Sequence, residues 1–426
     1  MPLPTTLAPL RHRQFALVWT GAFVSNIGTW METVAVGILV TKTTGKAGWA
    51  GVIAAAAFLP GAVLGPVGGA IADRYARKRV LIVTTLAQLG FAGMLCALAL
   101  AGSPRPAGVA LLVLGTGCAG ALGFPSYQSM MPDLVPPEDL VAAIGLSSAQ
   151  WNLGRVIGPS FAGIVIALGG ERWGYGIAFA INTVSFLAVV VVVGTLTLPG
   201  PRPGPFPSIA ESIREGFAYA FAEPGLRTII IYMTVNSLLA APFIALVSPM
   251  ALQVLNSGSG GVSVLVTAQG VGAVMMAVSL GGLARRFTPR RLLAAVLWAL
   301  PVALVAYASA PNLWTAAACI FVVGALYIGA LSSFTSSAQT RAPAEIRGRV
   351  MSVLNVLLGL LYPIGAVVQG RLADSIGQRV VTAGAAVAML AVLLVLAVAR
   401  PGLFRRLETP VSRVEVRQPA AANSLT

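Results

Sequence analysis

The chain has 426 residues, of which 57% are hydrophobic and 10% charged, where an average soluble domain carries roughly 25% charged residues. A soluble fold of this length would lack the polar surface it needs, which excludes a cytosolic enzyme, a DNA-binding protein and a disordered chain and leaves a polytopic helical membrane protein. The net charge of +15 then becomes a question of where the 28 Lys and Arg fall relative to apolar spans.

About 14 residues precede the first long apolar run, and no cleavable leader is expected. Span 1 covers about 15–40 and carries Ser25, Thr29 and Glu32 at helical spacing, with Gly21 and Gly28 close by. A polar stripe on a membrane helix faces the protein interior. Span 2, about 49–71, runs into the segment Gly69 to Arg79, where Asp73 is surrounded by Arg74, Arg77, Lys78 and Arg79. A carboxylate there can pair with Arg77 and cap a helix N-terminus swinging nearby. Spans 3 and 4, about 80–101 and 108–131, carry no charge between Leu111 and Pro125 and end near Tyr127.

Span 5, about 142–168, holds Gln150, Asn152, Gly154, Arg155, Gly158, Pro159 and Gly163. The small residues allow close helix approach, and Pro159 removes a backbone donor and bends the helix. Glu32 and Arg155 are the two charges deep inside spans with no exit to the surface. An isolated charge at that depth costs at least a few kcal/mol, so each is the other's candidate partner. Three roles are open for Glu32: a static ion pair, a proton carrier, and direct contact with a polar or cationic substrate.

Span 6 covers about 174–198. The connection 199–226 begins with Pro and Gly, then reads as helical from Ser208. It is expected to be a cytoplasmic linker between six-helix halves, 1–198 and 227–400. Span 7, about 227–255, carries Tyr232 and Asn236, the latter near the repeat position of Asn26. Span 8, about 261–284, carries Gln269, and spans 9 to 12 follow at about 292–309, 314–338, 350–373 and 380–399. By the repeat argument spans 1 and 7 line a central cavity, with Asn26, Thr29, Tyr127, Gln150, Tyr232, Asn236 and Gln269 as candidate lining residues. Residues 401–426 are polar and are expected to form a mobile tail.

With twelve spans both termini share one side. That side holds 21 of the 28 cations and the other side six, which orients both termini toward the cytoplasm. Cys96, Cys118 and Cys319 lie in apolar stretches without metal spacing, and His12 is the only His. No metal site, disulfide framework or catalytic constellation is expected. No nucleotide-binding Gly-x-x-x-x-Gly-Lys-Ser/Thr pattern is present, so no cofactor is expected and a proton gradient is the expected energy source.

The halves repeat weakly. Residues 69–79 correspond to 281–291 at an offset of 212, and Pro136, Glu138, Gly158 and Gly163 correspond to Pro343, Glu345, Gly365 and Gly370 at a constant offset of 207. Parallel six-helix halves with a site between them are a transporter architecture. At these residues the chain resembles the major facilitator superfamily. Residues 69–81 match its pattern Gly-x-Leu-Ala-Asp-Arg-x-Gly-Arg-Lys-x-x-Leu except at Ile71 and Ala76, whereas Arg285 replaces the Asp in the second copy. Gly154, Gly158, Pro159 and Gly163 resemble the span 5 motif of drug:proton antiporters, with Ala162 for one Gly. Asn26-x-Gly28-Thr29-Trp30, Pro132 to Val135, and Arg155 are similar to the branch that holds enterobactin-type siderophore exporters and macrolide efflux pumps.

The resemblance implies an all-α fold of 12 transmembrane helices in two parallel six-helix pseudo-repeats. It implies a latch of Gly69, Asp73, Arg74, Arg77 and Lys78 whose Asp73 engages the start of span 11, and a span 5 interface that seals against proton leak. The Arg that other antiporter branches carry in span 4 is missing, so a coupling mechanism built on it does not transfer. The expected function is export of a small lipophilic or amphipathic molecule in exchange for protons, by a monomer in a bacterial inner membrane, with no nucleic-acid partner. An uptake symporter or facilitator on the same fold, and a non-transporting receptor or scaffold, remain open alternatives.

Overall fold

The structure, a computed structural model, describes residues 5–102, 104–200, 209–343 and 346–407. Backbone N–H and C=O groups in lipid must pair within the segment, so the long apolar runs become helices. They are α1 (Arg13–Thr44), α2 (Ala47–Arg74), α3 (Arg77–Leu100), α4 (Pro106–Leu134), α5 (Pro137–Gly170), α6 (Trp173–Thr195), α7 (Ile209–Ala222), α8 (Pro224–Ile244), α9 (Gly258–Arg286), α10 (Pro289–Ala308), α11 (Leu313–Arg341), α12 (Arg347–Ile376) and α13 (Gln378–Ala399). All except α7 are long and apolar enough to cross a membrane. Leu168, Val278 and Val398 are at least 80% exposed. Such side chains on twelve helices would drive association in water, and in a bilayer they meet acyl chains.

The twelve membrane helices form two parallel six-helix halves, α1–α6 and α8–α13, and α7 runs between them. Gly158 on α5 abuts the Ile27 carbonyl of α1, and its repeat mate Gly365 on α12 abuts the Leu238 carbonyl in the span that begins with α8. Gly163 on α5 faces Ser263 of α9 in the other half, and its mate Gly370 on α12 faces the Ala47 carbonyl at the start of α2. The 207-residue offset is therefore one geometry used twice: the first glycine packs a helix inside its half, the second across the halves. Between α5 and α6 the chain turns through Gly170, whose φ of 68° favours glycine.

Span 7 departs from the single helix expected over 227–255. Helix Pro224–Val235 passes into a π turn, Asn236–Ala240, and a 3-10 turn, Ala241–Ile244, and after a break continues as Val247–Pro249 and a second π turn, Met250–Val254. Pro242 and Pro249 remove ladder donors here. The Gln369 side-chain amide of α12 donates to the carbonyls of Leu238 and Leu239 at 2.9 and 3.1 Å, taking up acceptors beside the break.

The tail also departs from expectation at its start. Leu403 is buried, Phe404 stacks on Tyr232 with ring centroids 4.5 Å apart, and the Leu407 carbonyl accepts from Arg341 at 3.1 Å. Apolar side chains at 403 and 404 find a greasy seat, so residues 401–407 dock. The remainder of the expected tail, and the Pro-rich start of the connection at 201–208, lie outside the described residues.

Candidate functional site

A cavity of about 1350 Å³ lies between the halves. α2 explains its shape. Near the start of α2, Gly48 and Gly51 press against α12, and a Cβ on Gly51 would stand 2.3 Å from the Ala366 carbonyl oxygen. Further along, Gly61, Gly65 and Gly69 have open space where a Cβ would point. α2 and α12 therefore touch on the face away from the termini and splay apart toward the face that carries them. The lining follows the splay and ends at Gly69, Asp73, Arg74 and Arg349.

The closed face has two further ties. The Asp374 carboxylate at the end of α12 accepts from the backbone N–H groups of Ala47 and Gly48 at 2.6 and 3.1 Å. A carboxylate on free N–H groups at a helix start satisfies orphan donors and meets the positive end of the dipole. Ser160 of α5 and Thr267 of α9 share a hydrogen bond of 3.0 Å across the halves. Sequence reasoning missed Asp374, although an acid between Arg371 and Arg379 on the charge-poor side was a visible signal.

Halfway along α5, Arg155 opens into the cavity and its guanidinium lies 5.4 Å from the centroid of the Trp30 ring. Trp30 meets Trp151 edge-on at 5.7 Å. Tyr327 and Tyr362 line the opposite wall, with Phe58 edge-on to Tyr362 at 5.3 Å. The remainder is mostly apolar, from Val34 and Ile53 to Leu331 and Val353.

The expected Glu32–Arg155 pair does not form. Glu32 is buried on the side of α1 that faces α6, where its carboxylate accepts from Asn182 Nδ2 at 2.7 Å, and Asn182 is in turn tied to Ser185. The two charges sit on different sides of α1: Gly158 brings α5 against Ile27 and Trp30, whereas Gly28 faces Asn182 and Ser185. Helical spacing showed that both are interior and left open which interior each faces. Asn182, the one amide in span 6, was the overlooked partner.

Of the seven candidate lining residues, the cavity takes Gln269, along with Asn152. Asn26 lies against Gly154 at the α1–α5 contact, and the Thr29 carbonyl accepts from Thr33. Tyr127 accepts from Gln150 at 2.8 Å. Tyr232 and Asn236 are fully buried within the second half. These six are absent from the lining, because a polar residue on an inward stripe has the core of its own half to face as well as the cavity.

In the Gly69–Arg79 segment, Arg77 pairs with Asp133 at the end of α4 and not with Asp73. Lys78 donates to the carbonyls of Gly194 and Leu196 at 2.7 and 2.8 Å, meeting the C-terminal end of α6. These cations pin the start of α3 to the ends of α4 and α6. Asp73 stands at the cavity mouth with Arg74, and forms no ion pair among the described residues. Across the mouth, Gly348 and Arg349 begin α12, and Arg349 is paired with Glu215 of α7.

A family model described as transmembrane secretion effector matches residues 4–419. The enterobactin exporter EntS of Escherichia coli O1:K1 is 27% identical over 348 residues, 80% of each chain. That of Salmonella choleraesuis is 28% identical over 346 residues, again 80% of each. A bacterial homologue of the human lysosomal transporter Spinster, solved in an inward-facing and occupied conformation, superposes with a TM-score of 0.73 at 16% identity, over 94% of this chain and 98% of that one.

Proposed function

Since the chain belongs to the transmembrane secretion effector family of the major facilitator superfamily, and is a multi-pass secondary transporter and not an enzyme, we propose that it exports a small lipophilic or amphipathic organic molecule from the cytoplasm in exchange for protons. The observation that carries this reading is the cavity: about 1350 Å³, walled by aromatic and aliphatic side chains with a few polar groups, and open on the face that bears the termini. A wall of that kind suits a bulky amphipathic molecule better than a sugar. The concentration of cations on the terminal face supports a cytoplasmic position for it. Similarity to proteins named enterobactin exporters supports the outward direction.

Inverted membrane vesicles given an imposed pH gradient and a panel of siderophores, antibiotics and amphipathic dyes test the reading. At least one compound should accumulate, and accumulation should vanish when the gradient is collapsed. Failure of every compound to accumulate overturns it.

Glu32 is the proton carrier in this reading. Its carboxylate is buried in α1, held by the Asn182 amide and without an ion pair among the described residues, and it takes up and releases the proton as access alternates. Glu32→Gln keeps an oxygen for Asn182 and removes the titration. The variant should retain substrate counterflow and lose acceleration by the pH gradient. Gradient-driven transport at the wild-type rate would show that the proton moves elsewhere.

Asp73 is the switching residue. It faces the start of α12 across an open mouth, and the closed-mouth state brings it onto the free N–H groups there. Asp73→Asn should therefore keep the terminal face open for longer. Thiol labelling of an added Ser352→Cys substitution, inside the mouth, should quicken severalfold while substrate affinity in detergent stays within about twofold, as expected of a change in state populations. Unchanged labelling would remove Asp73 from the switch.

A further inference from the structure

The middle of the cavity holds a cation with no acid beside it among the described residues. Arg155 makes no ion pair and no hydrogen bond among the described residues, and the Trp30 face beneath it answers its charge without using any of its five N–H groups. Gln269, 2% exposed, lines the same cavity from the other half, and its Nε2 is buried without an acceptor. Trp30 Nε1–H is in the same condition. Gly270 abuts the Arg155 carbonyl and Val156, which brings Gln269 and Arg155 to one level where α5 and α9 cross. Asp73 is the one acid among the described lining residues, and it stands at the mouth. Arg155 lies 18 residues into α5, about 27 Å along the helix at a rise of 1.5 Å per residue.

A desolvated guanidinium without a counter-ion is costly, and each unmet donor adds to that cost. A cation would be repelled, and a neutral group would leave the charge uncompensated. Resting on the export reading above, we propose that the substrate is an organic anion: one acidic group of the carboxylate type on an apolar, aromatic body, with that group seated against Arg155. Arg155 supplies charge and a planar fork of donors that matches both oxygens of a carboxylate. The aromatic body lies between the tryptophans of the first half and Tyr327 and Tyr362 of the second, so the ligand bridges both halves.

The test uses three probes of one shape: 2-naphthoate, 2-naphthamide and 2-naphthylmethylammonium. Binding to the full chain in lipid nanodiscs is measured by calorimetry, with empty nanodiscs subtracted. 2-Naphthoate should bind about tenfold or more tightly than the amide, as a charge-assisted hydrogen bond implies, and the ammonium should bind least. Arg155→Gln should bring naphthoate to within about twofold of the amide while leaving the amide's affinity in place, which also shows that the variant is folded. Gln269→Glu should weaken naphthoate and strengthen the ammonium. Equal binding of the three probes, or a naphthoate preference that survives in Arg155→Gln, overturns the anion inference and leaves the export reading standing. Binding of none of them, together with no accumulation in the vesicle panel, overturns both.

Discussion

Gly51→Val is expected to cut transport severely while leaving the chain folded, because it wedges a seam that must close for the cavity to face the termini. At Gly51 the nearest atoms to an added Cβ are backbone: Ala366 O at 2.3 Å, Ala366 C at 2.7 Å and Val367 Cα at 2.9 Å. No rotamer change relieves such a contact, so α2 and α12 must separate. Overpacking of this kind costs about 1–3 kcal/mol, and here the cost falls only on the state with the seam shut. A bias of that size shifts the ratio of states by roughly five- to 150-fold. Asp374→Ala should act in the same direction more gently. It removes a carboxylate from the N–H groups of Ala47 and Gly48, worth about 1 kcal/mol as a helix cap. Spin labels at Lys46 and Ser375, exposed on that face, report the outcome. Their separation should lengthen in Gly51→Val and become bimodal in Asp374→Ala. Wild-type transport and an unchanged distance distribution in Gly51→Val would mean that this seam is not the gate.

The helices were legible because lipid leaves the backbone no alternative, and the repeat because Gly158 and Gly163 recur at the same contacts as Gly365 and Gly370. The cavity was legible only in outline. Glu32, Asn26 and Asn236 all lie on inward faces, yet a helix in a six-helix half has two insides, and one-dimensional spacing does not distinguish them. Glu32 found Asn182, 150 positions away. The break in span 7 was hidden for another reason: its apolar run is continuous, and the π and 3-10 turns arise from two prolines and from a Gln369 amide on a different helix. Arg155 was the informative case. Its depth called for a partner, and the structure places the Trp30 ring beside it where an acid was expected.

The second large effect concerns the terminal face. Arg341→Met is expected to destabilise the chain by roughly 3–5 kcal/mol, the range for leaving one member of a buried ion pair alone. Arg341 ends α11 and Glu223 caps α8, with side chains 6% and 1% exposed. The guanidinium donates from Nε and Nη2 to the two carboxylate oxygens at 3.1 and 2.6 Å, and Glu223 also accepts from Leu226 N–H. Arg341 thus sits at the negative end of α11 and Glu223 at the positive end of α8, each favoured by the helix it terminates. A third guanidinium donor holds the Leu407 carbonyl, so the variant should also release the docked segment and unstack Phe404 from Tyr232. Burial pushes the Glu223 carboxyl up, but the hydrogen bonds from Arg341, Leu226 and Gly225, with the charge of Arg341, outweigh it and hold the group below the ordinary carboxylate value. A lowered folded value fixes the sign. The stabilisation is complete above the unfolded carboxylate value, about 4.3, and is lost as pH falls through the lower folded one. Denaturant titrations of the wild type should therefore be flat in this contribution from neutral pH down to about 5 and fall below it, and the Arg341→Met curve should lack that acid limb. Glu223→Gln combined with Arg341→Met should recover much of the loss, since it removes the stranded charge. If the double variant is no more stable than Arg341→Met, the cost lies in the released segment at 403–407 and not in the unpaired carboxylate, and the two are separable by testing Phe404→Ala alone.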